Sequence, residues 1–257
     1  MFSFFKSKKN VEEKTVELNR VEEFDDIKLI ADYFHKETGI TFDSQMSILK
    51  NKVVAFCKNR EIFSFKDLLI QIESNKDVKQ AIIDHLTTNE TFFYRELTQI
   101  KELVKLVKNS SGTVSILCAP SATGEEPYSI AIALIEEGCI SFNITGIDIN
   151  SEAIAKAKMA TYGERNVRNL SEDIKKRYFM LQEQKYVLKE SVKSHVTFKI
   201  ANLFESSFTS LGKFDFIFSR NMLIYFDKET KLEAKRILEN MRKTQEYNVF
   251  FGHADLF

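Results

Sequence analysis

The chain has 257 residues, 44% apolar and 29% charged, proportions that belong to an ordinary soluble globular protein and exclude a disordered or membrane-embedded one. Its 37 basic and 37 acidic side chains cancel, which removes the bulk attraction for phosphate that a general nucleic-acid binder uses. Three cysteines, Cys57, Cys118 and Cys139, are an odd number at spacings that suit neither a disulfide framework nor a zinc site, so a reducing, cytoplasmic setting is expected.

The N-terminus, "MFSFFKSKKN", has too short an apolar run for a signal peptide, and no stretch approaches the roughly 20 apolar residues of an integral membrane segment. Residues 1–20 carry little periodicity and read as a tail or docking segment. Residues 21–88 then show helical spacing. Phe24, Ile27, Ile30, Ala31 and Phe34 form one stripe that stops at Gly39, and Met46, Leu49, Val53 and Cys57 form a second. "SFKDLLIQIE" and "DVKQAIIDHLTT" follow. This part is predicted to be a small helical domain.

From residue 89 to 257 the pattern changes. Short β-branched runs ("TVSILC", "NITGID", "HVTFKI", "FDFIFS", "NVFFG") alternate with helical stretches such as "YSIAIALIEEG" and "SEAIAKAKMA". That alternation predicts an α/β domain with a mostly parallel sheet, in which the ligand sits at the carboxyl ends of the strands and the first strand-to-helix turn touches it. The turn is "CAPSATGEEPYS", residues 118–129, which holds both prolines of the chain. It lacks the GK[ST] ending of a P-loop and the full G-x-G-x-x-G of a dinucleotide site. Asp148, at the end of the second strand, lies at the distance where an acidic residue accepts hydrogen bonds from ribose hydroxyls; an N-cap of the next helix is its alternative role. A nucleoside without phosphates, with a positive group facing Glu125 or Glu126, points to S-adenosylmethionine.

Four ordered blocks carry a more specific resemblance: "LTTNETFFYRE" (86–96), "CAPSATGEEPYSIAI" (118–132), "FDFIFSRNMLIYFDKET" (214–230) and the closing "GHADLF". Together with "GIDIN" and "KRYFM", they resemble the CheR family of chemotaxis receptor methyltransferases. The resemblance implies a Rossmann-like class I S-adenosylmethionine-dependent methyltransferase domain behind a small all-helical N-terminal domain. It also implies methylation of glutamate side chains on the cytoplasmic helical bundle of chemoreceptors, with S-adenosylhomocysteine as the second product. Carried onto this chain, it places Asn89, Thr91 and Arg95 at the methionine end of the cofactor and the reaction centre. Ala119 and Glu126 fall on the turn, with Glu126 near the methionyl group and Glu125 the less favoured contact. Asp148 would meet the ribose, Asn202 and Leu203 would flank the adenine, and Asn221 and Met222 would complete the pocket. Tyr225 is the family's candidate beside the methyl group, and Arg95 and Tyr225 form the catalytic pair. Phe92, Phe93 and Tyr94 are expected to pack between the domains, Arg220 to be an ion-pair partner, and His253 to be a core or capping residue.

The chain also departs from the family. Its second helix has Lys50, Lys52, Lys58 and Arg60, with Ala55 and Phe56 where the family usually has an arginine pair, which leaves open a receptor-docking face or a solvated helix. The small β-subdomain, expected near 181–196, lacks the glycine-containing loop of members that bind a receptor's C-terminal pentapeptide, so tethering through that peptide is not expected. "CAPSATG" has Pro120 and Ala122 at unusual places, and the sheet is expected to be short of its last strand. A non-catalytic cofactor- or partner-binding module, and a methyltransferase for another acceptor, are the alternative readings.

Overall fold

The computed structural model describes residues 23–247 and 249–255. The segment read as a tail, residues 1–20, and the last two residues of "GHADLF" lie outside them. Four helices come first: α1 (Ile27–Thr38), α2 (Met46–Lys58), α3 (Phe65–Ser74) and α4 (Lys76–Leu86). Their ends follow from local chemistry. The Asp26, Ser64 and Asn75 side chains accept backbone N–H groups of the first turns of α1, α3 and α4, and Gly39 ends α1 with a left-handed φ of 74°. The apolar stripes meet in one core built from Ile30 and Phe34, Leu49, Val53 and Cys57, Leu68 and Ile72, and Ile82 and Leu86. Phe24, Ile27, Ala31 and Met46 pack at its edge.

Beyond this bundle the elements alternate: α5 (Leu97–Lys108), β1 (Val114–Cys118), α6 (Glu125–Glu136), β2 (Phe142–Asp148), α7 (Ser151–Met159), β3 (Thr161–Tyr162), α8 (Glu164–Val167) and α9 (Glu172–Tyr178). They continue with β4 (Phe179–Gln182), β5 (Lys185–Leu188), α10 (Glu190–Lys193), β6 (Val196–Ile200), α11 (Ser206–Thr209), β7 (Phe216–Ser219), α12 (Lys228–Asn240) and β8 (Phe250–Phe251). The main sheet has the order β6-β2-β1-β7-β8, with every pairing parallel. Its central strands β1 and β7 are apolar on both faces because both are covered, whereas the edge strand β6 exposes Thr197 and Lys199. Ile116 and Cys118 enter one core with Tyr128, Ile130 and Phe218, whereas Leu117 and Ala119 enter the other with Ile217, Ala234 and Leu238. From β1 the chain builds outward to β2 and β6 on one side and to β7 and β8 on the other. The strand order therefore reverses beside β1, and a crevice opens at the carboxyl ends of β1 and β7.

The small sheet is antiparallel, with order β3-β5-β4. Its strands cover 161–162, 179–182 and 185–188, so it starts well before the expected 181–196, and residues 190–196 instead form α10 and enter the main sheet. Glu183 and Gln184 join β4 to β5 with φ of 47° and 63°. A two-residue hairpin loop with both φ positive is the geometry that asparagine and glycine favour. Gln184→Gly is accordingly expected to stabilise the chain by about 1 kcal/mol, through loss of the left-handed penalty. A higher urea midpoint at unchanged m-value would show it.

The helical bundle meets the α/β part along two seams. In one, the Ser151 N–H donates to the Asp84 carboxylate at 2.7 Å, and the Asn150 amide donates to Asp84 O and Thr87 Oγ1. In the other, Ile40 bridges Phe226, Thr41 N donates to Tyr225 O at 2.9 Å, and His35 pairs with Asp227 at 2.7 Å. Between the seams lies the crevice.

Candidate active site

The crevice is a cleft of about 640 Å³ whose walls come from both parts of the chain. Its floor is the turn after β1, which includes a cis Ala119–Pro120 bond. Ser121 N donates to Ile147 O at 2.7 Å, tying the turn to β2. Ala122 sits at a φ of 45° and donates its N–H to Asp148. Gly124, at a φ of 93°, is required twice over. A Cβ there would be strained, and it would come within 3.0–3.1 Å of Ala157, Phe198 and Tyr162. The missing side chain lets α6 begin tight against α7 and β6.

Three carboxylates, two of them fully or nearly fully buried, have different assignments. Glu125 is fully buried and accepts from Thr123 Oγ1 and Asn166 Nδ2, each at 2.6 Å, so it ties the turn to α8 and is absent from the cleft wall. Glu126 lines the cleft. Its Oε2 is held by Arg220 Nε, while its Oε1 finds no N–H or O–H donor and has the Cys118 thiol as a neighbour. Burial pushes the Glu126 carboxyl up, against the pull of the Arg220 charge. Arg220, 2% exposed, reaches on to Glu96 O at 3.3 Å, Gln99 Oε1 at 3.4 Å and the Glu96 carboxylate at 3.9 Å. Asp148 accepts Ala122 N at 2.8 Å and Asn150 N at 2.9 Å, and burial pushes it up to about 6 in spite of those donors. Asn150, rather than Asp148, caps α7, by accepting Ala153 N at 2.7 Å.

The segment between α4 and α5 supplies Asn89, Thr91, Phe92 and Arg95 to the wall. Arg95 donates to Glu90 O at 3.2 Å, which leaves donors of its guanidinium fork for a ligand. The loop after β7 supplies Asn221, Met222 and Tyr225. Asn221 has a φ of 60°, and its N–H is held by the buried Asp255 carboxylate of the closing "GHAD". A Cβ on Gly252 would lie 3.0 Å from that nitrogen, so the closing motif fixes the loop by close approach. Tyr225 is 40% exposed at the rim, with its carbonyl held by Thr41. Ala119, Asn202 and Leu203 complete the wall, although the Asn202 amide is already bonded to Glu37 O at 2.6 Å. Every side chain that the sequence assigned to the site thus lies on this one cleft.

Several expectations change. Phe93 is fully buried against Tyr162 and Phe179, at 4.9 and 5.3 Å, within the core of the α/β part instead of between domains. Tyr94 packs against the same core, with its N–H on Ser129 Oγ. Only Phe92 faces the cleft. The His253 side chain is 73% exposed and bonded to Glu96 Oε2 at 3.0 Å, so it is neither core nor cap. Alternating aromatic and polar residues would have revealed Phe93 only if its sheet partners, far along the chain, were known.

The lining fits S-adenosylmethionine. The cofactor carries an ammonium group and a sulfonium, which suit the unpaired Glu126 oxygen. It also carries ribose hydroxyls, which suit a charged Asp148, and an apolar adenine, which suits Ala119, Ile149, Leu203 and Met222.

Comparison with known proteins agrees. The family described as "CheR methyltransferase, SAM binding domain" matches residues 89–257. The chain is 36% identical over 247 residues to a chemotaxis protein methyltransferase of Campylobacter jejuni, covering 95% of this chain and 92% of that one. It is 31% identical over 238 residues to the corresponding protein of Escherichia coli, covering 89% and 83%, and 28% identical over 249 residues to that of Borreliella burgdorferi, covering 90% and 88%. With this match spanning the strands, turns and loops that build the cleft, the chain belongs to the CheR family of S-adenosylmethionine-dependent methyltransferases.

Proposed function

We propose that this chain methylates glutamate side chains on the cytoplasmic helical bundle of chemoreceptors, in the cytoplasm, giving glutamyl methyl esters and S-adenosylhomocysteine. The observation that carries this reading is that the family match covers residues 89–257, the part of the chain that supplies most of the cleft. Bound S-adenosylmethionine supplies an electrophilic methyl group on a sulfonium, which becomes a thioether as a carboxylate oxygen takes the methyl.

The residues of the chain then have to bind and align. Glu126 Oε1 holds the cofactor's ammonium group, Asp148 the ribose hydroxyls, and Ala119, Asn202, Leu203 and Met222 the adenine end. Asn89, Thr91 and Asn221 surround the methionine end. A glutamate side chain, with a reference pKa near 4.3, is already ionised at neutral pH, so no general base is required. Arg95 turns the incoming carboxylate toward the methyl group through its planar fork, and Tyr225 at the rim covers the reacting pair from water. Orientation of this kind supplies about 7–11 kcal/mol of a barrier. Docking takes place on the bundle surface beside α2 rather than through a receptor's C-terminal pentapeptide. The two-residue β4–β5 turn, without a glycine loop, supports this.

Arg95→Lys keeps the charge and loses the fork, and it is expected to lower kcat by one to two orders of magnitude while shifting cofactor affinity less than threefold. Steady-state kinetics with calorimetry on the same preparation separates the two. Equal losses in both would move Arg95 onto the cofactor's carboxylate. The function itself is tested by peptide mapping of receptors incubated with the enzyme and cofactor: mass gain of one methylene on glutamate supports it, and gain on lysine, arginine or no receptor peptide refutes it.

A further inference from the structure

A second group of basic side chains, on elements other than α2, touches residues of the cleft wall. Arg168, just past the end of α8, lays its guanidinium 3.8 Å over the Phe92 ring, and Phe92 lines the cleft. Arg95 lies over the same ring at 5.8 Å. Arg165, on α8 itself, pairs with Glu90 at 2.6 Å, and Glu90 also lines the cleft. Glu90 and Arg95 are joined in turn through the Glu90 carbonyl. Two arginines therefore lie over one half-buried aromatic side chain of the cleft wall, and a third is joined to the adjoining wall residue, Glu90.

Their partners are few and weak. Among the described residues no carboxylate lies within ion-pair distance of Arg168, whose guanidinium donates to the Arg165 carbonyl instead. The Arg165–Glu90 pair is 80% and 66% exposed, and pairs so exposed exchange readily with another carboxylate. The other nearby acid, Glu164, is engaged by Lys175 and Tyr186. Stacking on Phe92 keeps the Arg168 fork flat and ordered, which reduces the entropy lost when it grips a carboxylate. Lys52 and the exposed Ile48 of α2 line the same cleft, as do the exposed Ile224 and Tyr225.

We propose that Arg165 and Arg168 form one basic jaw of a substrate clamp whose other side is α2: they hold carboxylates that flank, on the substrate helix, the glutamate that enters the cleft. This rests on the function proposed above and deepens it, because it says how an acidic helix is held at both edges of the site. A helical substrate presents side chains at i, i+3 and i+4 on one face, so acidic neighbours one turn from the reacting glutamate reach a wall beside the mouth while the central residue enters. Two walls also fix the helix in register, which one basic helix face does not.

The test is a charge reversal in the full chain, Arg165→Glu with Arg168→Glu, assayed on receptor membranes over a range of salt. KM for receptor is expected to rise on the order of tenfold or more and its salt dependence to flatten, with kcat and calorimetric cofactor affinity unchanged. The milder pair Arg165→Gln with Arg168→Gln should show a smaller rise in the same direction, and it serves if the reversal folds poorly. If both variants fold, bind cofactor and methylate receptors with wild-type KM, the second jaw is wrong while the methyltransferase function stands. If the wild-type chain methylates no receptor, it is the function that fails.

Discussion

Arg220→Met is expected to cost about 3–5 kcal/mol of folding stability, the penalty for removing one partner of a buried ion pair. The cause lies in what remains behind. Glu126 and Glu96 would keep their largely buried carboxyls without the cation that both face, and Glu126, already pushed up by burial, would be pushed further toward its neutral form. A neutral Glu126 is a poor acceptor for an ammonium group, so cofactor affinity should fall with stability. Two further measurements keep the effects apart. The double variant Arg220→Met with Glu126→Gln removes the stranded charge and should recover part of the stability but none of the affinity. Methylthioadenosine, which lacks the amino-acid portion, should bind the double variant as it binds the wild type. Wild-type stability in the single variant, or equal loss for both ligands in the double variant, would show that Arg220 does not act through Glu126.

Asp148→Asn is expected to weaken cofactor binding about tenfold to a hundredfold, because hydrogen bonds to a charged acceptor contribute roughly 1.5–3 kcal/mol. The pH dependence gives a second reading of the same residue. Burial pushes Asp148 up to about 6, and the ribose hydroxyls favour its charged form, so wild-type affinity should fall as pH drops through 6. The variant should lose that dependence. For stability the sign is opposite. A carboxyl raised above its unfolded value favours folding at low pH, and that contribution is lost as pH rises through the folded value near 6. At neutral pH the ionised Asp148 is thus a cost in the cofactor-free protein, and a ribose bound to it would offset that cost. Titration calorimetry between pH 5 and 8 reads the affinity, and urea unfolding of the cofactor-free protein over the same range reads the stability. A flat wild-type profile would mean that the cofactor does not depend on the Asp148 charge.

The parts of this arrangement that could be read from sequence were those encoded by local pattern. The strands β1 and β7 are nearly continuous apolar runs, β2 and β6 are short β-branched runs, the turn at 118–129 concentrates both prolines beside a glycine, and Asp148 stands at a strand end. The helical stripes of α1 and α2 were equally plain, with Gly39 marking a stop that its φ explains. What remained hidden depends on contacts distant along the chain. Arg220 meets Glu126 from 94 positions away. Arg168 stacks on Phe92 only because α8 folds back over the segment before α5. The small sheet contains a two-residue strand, β3, too short to show any periodicity, which is why its extent was misplaced. Asn150 and Asp148 both carry acceptors suited to capping α7, and only the geometry separates the cap from the cleft carboxylate.

Glutamyl methyl ester formation can be tested directly by incubating the purified chain with receptor-rich membranes and S-adenosylmethionine labelled in its methyl group, then treating the washed membranes with mild base. Esters hydrolyse under these conditions and N-methyl groups do not. Release of the incorporated label as volatile methanol, reduced in step with turnover by Arg95→Lys, is the predicted result. Label that stays on the receptor after base, or fails to enter it, would contradict glutamate methylation by this protein.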